Sequence, residues 1–292
     1  MKVLISTDSS CLINQEVFKK YDINVFPLNV IIDGEEYLDG VTINQEQLAL
    51  AMRSKKIIKT STPPLGEVID YFEKLFAKGY DHIIHFTISS KLSSMYSLFD
   101  TVAKQNFEGK VTVIDSYSAS APMLAEVFHA YDELQKGTEI AEIVKIINQR
   151  KIMNLPFMFI PENLNSLKNG GRISPAIALI GNSIGIKPII VLRDGGLEKT
   201  EMVRNVKRTI LDKISQALEK YPTSEYDYTL LMFDAEQRTI DYIIETANQM
   251  LKDCTIMKGT FPINVSAHVG PGTIGLTVCK KINGKSVASF IG

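Results

Sequence analysis

The chain is poor in cysteine, with three in 292 residues. Cys11, Cys254 and Cys279 stand far apart, with no C-x-x-C pair and no Cys/His spacing of zinc type, which argues against a disulfide framework and a zinc site and for reduced, partly buried thiols. Net charge is lacking too: 32 Lys plus Arg face 33 Asp plus Glu. No global field draws nucleic acid or an anionic membrane, so no nucleic-acid partner is expected and any membrane contact is left to a local, transient patch. No apolar run approaches the roughly 18 residues of a membrane-spanning helix, since the longest, Ile184 to Leu192, is broken by Gly185, Lys187 and Pro188. The opening MKVLISTDSS has an apolar stretch shorter than the about 7–15 residues of a signal-peptide core, so cytoplasmic residence is expected.

Catalytic signatures are also missing. There is no G-x-x-x-x-G-K-[ST], G-x-S-x-G or H-E-x-x-H, and His82, His85, His129 and His268 show no metal-ligand grouping. No metal and no cofactor is expected.

What is present fits an ordinary globular protein, with 45% apolar and 22% charged residues. The length suits two domains, because single cores stop growing near roughly 250–300 residues. Short Val- and Ile-rich runs (Val3 to Ser6, Val25 to Ile32, His82 to Thr87, Val111 to Asp115) read as strands separated by helical patterns such as Met95 to Gln105, Ser120 to Leu134 and Glu139 to Met153. This alternation predicts an α/β fold with a mainly parallel sheet. Pro156 and Pro161 mark the start of a second, mixed α/β half, placing the boundary at 155/156 and giving domains 1–155 and 156–292. In that half Ile186 to Leu192 and Leu197 to Val203 flank Arg193-Asp194-Gly195-Gly196, a hairpin signal. Asn205 to Tyr221 and Ala235 to Lys252 read as helices, and Tyr228 to Phe233 and Ile274 to Ile282 as strands.

Three strands of the first half end in hydroxyl-rich turns: Thr7-Asp8-Ser9-Ser10, Thr87-Ile88-Ser89-Ser90 and Asp115-Ser116-Tyr117-Ser118. Each suits a helix N-cap; together they also suit a ligand crevice at the carboxyl ends of a parallel sheet. Thr60-Ser61-Thr62 and Ser89 to Ser94 offer neutral donors matched to a carboxylate or phosphate, and Thr60 to Thr62 read equally as the cap of a helix at Gly66 to Lys78. His268-Val-Gly-Pro-Gly-Thr-Ile-Gly275 contains a formal G-x-G-x-x-G. Only 17 residues follow it, too few for the acidic residue that a dinucleotide fingerprint places about 20 positions on. Two readings remain: a glycine loop allowing close approach with His268 at its edge, or a tight turn with a satisfied histidine.

Over essentially its whole length the chain resembles the DegV family of bacterial fatty-acid-binding proteins. The resemblance rests on Thr7-Asp8-Ser9-Ser10, Lys59-Thr60-Ser61-Thr62-Pro63, Ile88-Ser89-Ser90-Lys91-Leu92-Ser93, Lys168-Asn169-Gly170-Gly171-Arg172-Ile173-Ser174, Ile186-Lys187-Pro188-Ile189 and His268-Val269-Gly270-Pro271-Gly272. It implies a two-domain α/β fold enclosing one long-chain fatty acid, with the carboxylate held by Thr60, Ser61, Ser93 and His268. Arg172 and Arg204 are implied to meet the head group or a docked partner. A catalytic subunit of a fatty acid kinase is the implied partner, with this chain as the non-catalytic, lipid-presenting subunit feeding phospholipid metabolism. The chain departs from the family pattern at Leu92-Ser93-Ser94-Met95, where L-S-G-T is common, and at Thr62, where Gln is common.

On this reading His268 is able to donate a proton to the head group, and ten Met and 13 Phe are enough to line an adaptable tunnel, though equally ordinary core. Two other functions stay open: an esterase or acyltransferase with Ser93 as nucleophile and His268 as base, and a phosphate or nucleotide module built on the His268 to Gly275 loop.

Overall fold

A computed structural model describes residues 1–11, 15–173, 185–251 and 254–291. Ser174 of the glycine-rich motif, Ile184 at the start of the apolar run and Lys252 at a predicted helix end lie outside the described residues. The first half runs β1 (Val3–Asp8), α1 (Gln15–Lys20), β2 (Asn24–Phe26), β3 (Asn29–Ile32), β4 (Glu35–Leu38), α2 (Gln45–Arg53), β5 (Ile58–Ser61), α3 (Leu65–Phe76), β6 (His82–Thr87), α4 (Met95–Asn106), β7 (Val111–Asp115), α5 (Ser120–Gln135) and α6 (Ile140–Lys151). The second runs β8 (Phe157–Ile160), α7 (Asn165–Asn169), β9 (Lys187–Arg193), β10 (Gly196–Val203), α8 (Val206–Leu218), β11 (Tyr226–Phe233), α9 (Gln237–Met250), β12 (Met257–Thr260), α10 (Ile263–Val269), β13 (Thr273–Lys280) and α11 (Ala288–Ile291).

The predicted parallel sheet is present as four strands in the order β2-β1-β6-β7, all pairs parallel. The second half forms a six-stranded sheet, β10-β9-β8-β13-β11-β12, antiparallel except where β11 meets β12. The strand expected over Val25 to Ile32 is two strands in different sheets. Pro27 sits between them without an N–H to give to a ladder, and Leu28 N donates instead to Ser9 Oγ at 3.0 Å. Beyond that break β3 joins β4 and β5 in a small antiparallel sheet, which the sequence pattern did not reveal.

Alternation along β8 shows how the halves meet. Met158 and Ile160 pack with Ile210, Tyr228 and Ile243 in the cluster beneath α8 and α9. Phe157 and Phe159 turn the other way, into a cluster that also holds Ile84, Phe86 and Phe128 of the first half. Helix α5 packs on β1 and on β13, and α10 packs on α2, β3, β5 and α7. The small sheet and α10 thus bring the two halves together at one place.

Candidate functional site

At that place the helix-cap reading of Thr60 to Thr62 fails: Thr60 and Ser61 end β5, and α3 is preceded by Pro64 with no side-chain cap. His268 is not at the edge of a glycine loop but in the last turn of α10, a seven-residue helix. Its Nε2 lies 2.9 Å from Thr60 Oγ1. Its Nδ1 faces Gly170, where any Cβ would collide with the ring, and has no hydrogen-bond partner. Gly170 has an ordinary helical φ of −76°, so glycine is required there by the histidine, not by the backbone.

A cavity of about 330 Å3 opens from this contact, within the usual range of small-molecule sites, roughly 300–1,000 Å3. Leu28, Ile88 and Met95 of the first half and Phe159, Leu192 and Phe261 of the second give it an apolar wall. Its polar lining comes from Thr60, Ser61, Thr62, Ser93, Ser94, Arg172, Asn264 and His268. Four candidate residues, Thr60, Ser61, Ser93 and His268, therefore line one cavity with Arg172. Arg204 does not: it is exposed and lines a separate groove with Lys187 and Asp234.

The electrostatics are asymmetric. Arg172 Nε donates to Leu92 O at 3.2 Å and its Nη1 to Gly170 O, so the guanidinium ties the two halves together. Among the described residues it forms no salt bridge. Burial lowers its pKa, the signature of a cation stripped of water without a counter-anion. Burial, with Arg172 adding to it, drives His268 down to about 3. His268 is therefore a neutral imidazole near pH 7, able to donate a hydrogen bond from one ring nitrogen only. Ser93 Oγ accepts from Met95 N at 3.4 Å, which leaves its proton free to donate.

The three hydroxyl-rich turns mostly bond one another. Asp8 accepts from Ser10 N and Ile88 N, both at 2.8 Å; Asp115 accepts from Ser90 N at 3.1 Å and Tyr117 N at 3.0 Å. Ser89 Oγ reaches across to Gly195 O at 2.6 Å. Of the residues in these turns only Ile88 lines the cavity, with Ala119 just beyond the third turn, and helices α4 and α5 are preceded by Ser94 and Ala119 with no side-chain cap. The glycines of the formal G-x-G-x-x-G likewise serve packing: a Cβ at Gly272 would strike Glu162 and one at Gly275 would strike Phe261. That segment leads into β13 instead of opening a helix.

Two residues were not singled out in the sequence. Asp39 Oδ2 accepts from Ser9 Oγ at 2.9 Å and from Asn264 N at 3.1 Å, and Asn264 Nδ2 donates to Ser10 Oγ at 2.6 Å. The two contacts of Asn264 fasten the start of α10, the helix that carries His268, to the first half. Desolvation raises the Asp39 carboxyl to about 7 and that of Asp8 to about 6, each opposed by hydrogen bonds, and the charge on Asp8 raises Asp39 further. The only sequence signal for Asp39 was its place before Gly40, an unremarkable turn dipeptide.

The DegV family model matches residues 2–281. A DegV domain-containing protein of Staphylococcus aureus is 33% identical over 294 aligned positions, spanning 96% of this chain and 99% of that relative. Among solved structures, a DegV lipid binding protein from Thermotoga maritima superposes with TM-score 0.82 at 25% identity, covering 96% of this chain and 99% of that one. A fatty acid binding DegV family protein from Streptococcus agalactiae superposes with TM-score 0.83 at 25% identity, covering 95% and 98%.

Proposed function

Since the chain belongs to the DegV family, we propose that it carries one long-chain fatty acid in the cavity, with the tail against the apolar wall and the carboxylate at Thr60, Ser61, Ser93 and His268. The observation that carries this reading is Arg172, a half-buried guanidinium that among the described residues bonds to carbonyls and to no carboxylate, at the polar rim of a largely apolar cavity. An anion is what such a cation lacks. The relatives described as lipid binding and fatty acid binding support the same choice of ligand.

Affinity then comes from the tail. At about 0.8 kcal/mol per buried CH2, roughly 15 methylenes contribute on the order of 12 kcal/mol before ordering costs. The head group is held by Ser and Thr hydroxyls and a neutral imidazole, each bond charge-assisted by the carboxylate. This arrangement keeps the carboxylate anionic, as a nucleophile toward a phosphoryl group must be.

On the same reading the chain presents that carboxylate to the catalytic subunit of a fatty acid kinase, which brings the nucleotide and metal. The product, an acyl phosphate destined for phospholipid metabolism, carries more negative charge beside Arg172. Arg204, exposed and away from the cavity, suits the partner's docking surface. We place the division between ligand-holding halves at 155/156, in the link from α6 to β8, and the working compartment in the cytoplasm.

The geometry favours a carrier over an esterase. His268 Nε2 is engaged by Thr60, and among the described residues no hydrogen bond joins Ser93 to His268 and no carboxylate orients the ring, whereas a nucleophile and its base need both. Thermal unfolding tests the choice of ligand. Palmitate is expected to raise Tm in proportion to the logarithm of its concentration; a rise with nucleotides and none with fatty acids would move the assignment to the glycine loop.

A further inference from the structure

The cavity has a second hollow beyond its far end. This hollow is small, about 60 Å3, and two side chains, Phe157 and Leu192, line both spaces. Strand register gives the direction. Ile160 pairs with Ile274, near the end of β13 that follows α10, and Phe157 pairs with Thr277. Val278, Cys279 and Lys280, the next residues of β13, line the second hollow. At a rise of about 3.3 Å per residue, Phe157 stands roughly 10 Å from the α10 end, and the second hollow lies further on. His268, Thr60 and Arg172 are gathered at the α10 end.

We propose that Phe157 and Leu192 form the stop that sets acyl-chain length, and that the second hollow receives the terminal carbons of a longer chain once the stop is shortened. This rests on the reading of the cavity as a fatty-acid site. The second hollow suits an apolar end, since Pro122, Val278 and Cys279 contribute to it. Charged residues that line it have partners of their own: Arg150 Nε lies 2.8 Å from Glu126 and its Nη2 donates to Lys280 O at 3.0 Å, Asp194 accepts from Asn154 Nδ2 at 2.6 Å, and Lys151 Nζ sits over the Tyr117 ring and reaches Asp115 O at 3.5 Å. A methyl terminus that enters beside Pro122, Val278 and Cys279 need not break the Arg150–Glu126 pair.

Leu192 is the position to change, because it is only half-buried near the end of the β9–β10 hairpin and opposite Leu197, while Phe157 belongs to the core. Delipidated wild type, Leu192→Ala and Leu192→Phe are each offered an equimolar mixture of myristic, palmitic, stearic, arachidic and behenic acids. Native mass spectrometry then reads the bound distribution. Leu192→Ala is expected to move the distribution to longer acids, raising the arachidic-to-palmitic ratio about tenfold, and Leu192→Phe to move it to shorter ones. Superimposable distributions in all three proteins overturn the proposal. Wild type that takes up none of the five acids overturns the fatty-acid reading beneath it.

Discussion

His268 and Gly170 are matched across the α7–α10 contact: the imidazole Nδ1 occupies the space that a Cβ on residue 170 would need. The other ring nitrogen is thereby directed at Thr60 Oγ1, 208 positions earlier in the chain, at 2.9 Å. The histidine is set by a missing side chain on one flank and a strand-end hydroxyl on the other.

Gly170→Ala tests this match with little backbone cost, because φ is −76° there and alanine adopts that conformation freely. The expected result is a protein that folds but retains fatty acid about tenfold less well, the loss of one charge-assisted hydrogen bond. Equilibrium displacement of a fluorescent fatty acid measures it, and unchanged affinity would show that ring placement is immaterial.

On the proposed reading Ser93→Ala and His268→Ala each remove a polar group of the head-group site, His268 together with its contact to Thr60 Oγ1, and leave the tail contacts intact. Each is expected to weaken binding by about 10- to 100-fold, equivalent to about 1.5–3 kcal/mol. Because the two act on the same carboxylate, the double variant is expected to lose less than the product of the single losses. Purely additive losses would place them on different parts of the ligand.

On the proposed reading, Arg172 serves head-group binding and Arg204 partner docking, and two variants separate the roles. Arg172→Ala is expected to lower fatty-acid affinity, since it removes the cation at the cavity rim. Arg204→Ala is expected to leave that affinity within about twofold while slowing acyl-phosphate formation with a fatty acid kinase subunit. Equal effects on both readouts in both variants would remove the distinction.

Asp39 gives a pH signature. Its carboxyl is raised from the ordinary 3.8 to about 7 in the folded protein, so between those values the folded state binds the proton that the unfolded state has released. Stability from this group is present below about 4 and is lost as pH rises toward 7, by on the order of 4 kcal/mol. His85, His129 and His268, lowered by burial to about 3, 4 and 3, act oppositely: their stability is lost as pH falls from 6.5. Wild type alone therefore mixes the two. The Tm difference, Asp39→Asn minus wild type, isolates the carboxyl and is expected to grow from pH 5 to pH 8. A difference independent of pH would mean that Asp39 is not held as a buried acid.

Much of the frame is legible in the local pattern of residues. The β/α alternation of the first half and the hairpin at Asp194 and Gly195, whose φ values of 48° and 79° are what such a turn requires, follow from local pattern. The site residues were legible only through motifs shared with a family, because nothing local relates Thr60 to a side chain 208 residues away. The small sheet was hidden by its size: β3, β4 and β5 have four residues each, and β4, Glu35–Leu38, has no buried residue to mark a face. Helix α10 was hidden by the β-branched and Asn residues of its seven, which locally favour other conformations. Asp39 and Asn264 were missed because their roles depend on contacts with Ser9 and Ser10, residues that the sequence suggested for the ligand itself.

The claim that one fatty acid occupies the cavity is tested most directly by mass spectrometry of the purified protein under native and then denaturing conditions. The expected result is one non-covalent adduct of long-chain fatty-acid mass per chain, lost on denaturation. Protein that stays free of lipid in repeated preparations and after incubation with palmitate, or an adduct that survives denaturation as a covalent acyl-enzyme, would contradict it.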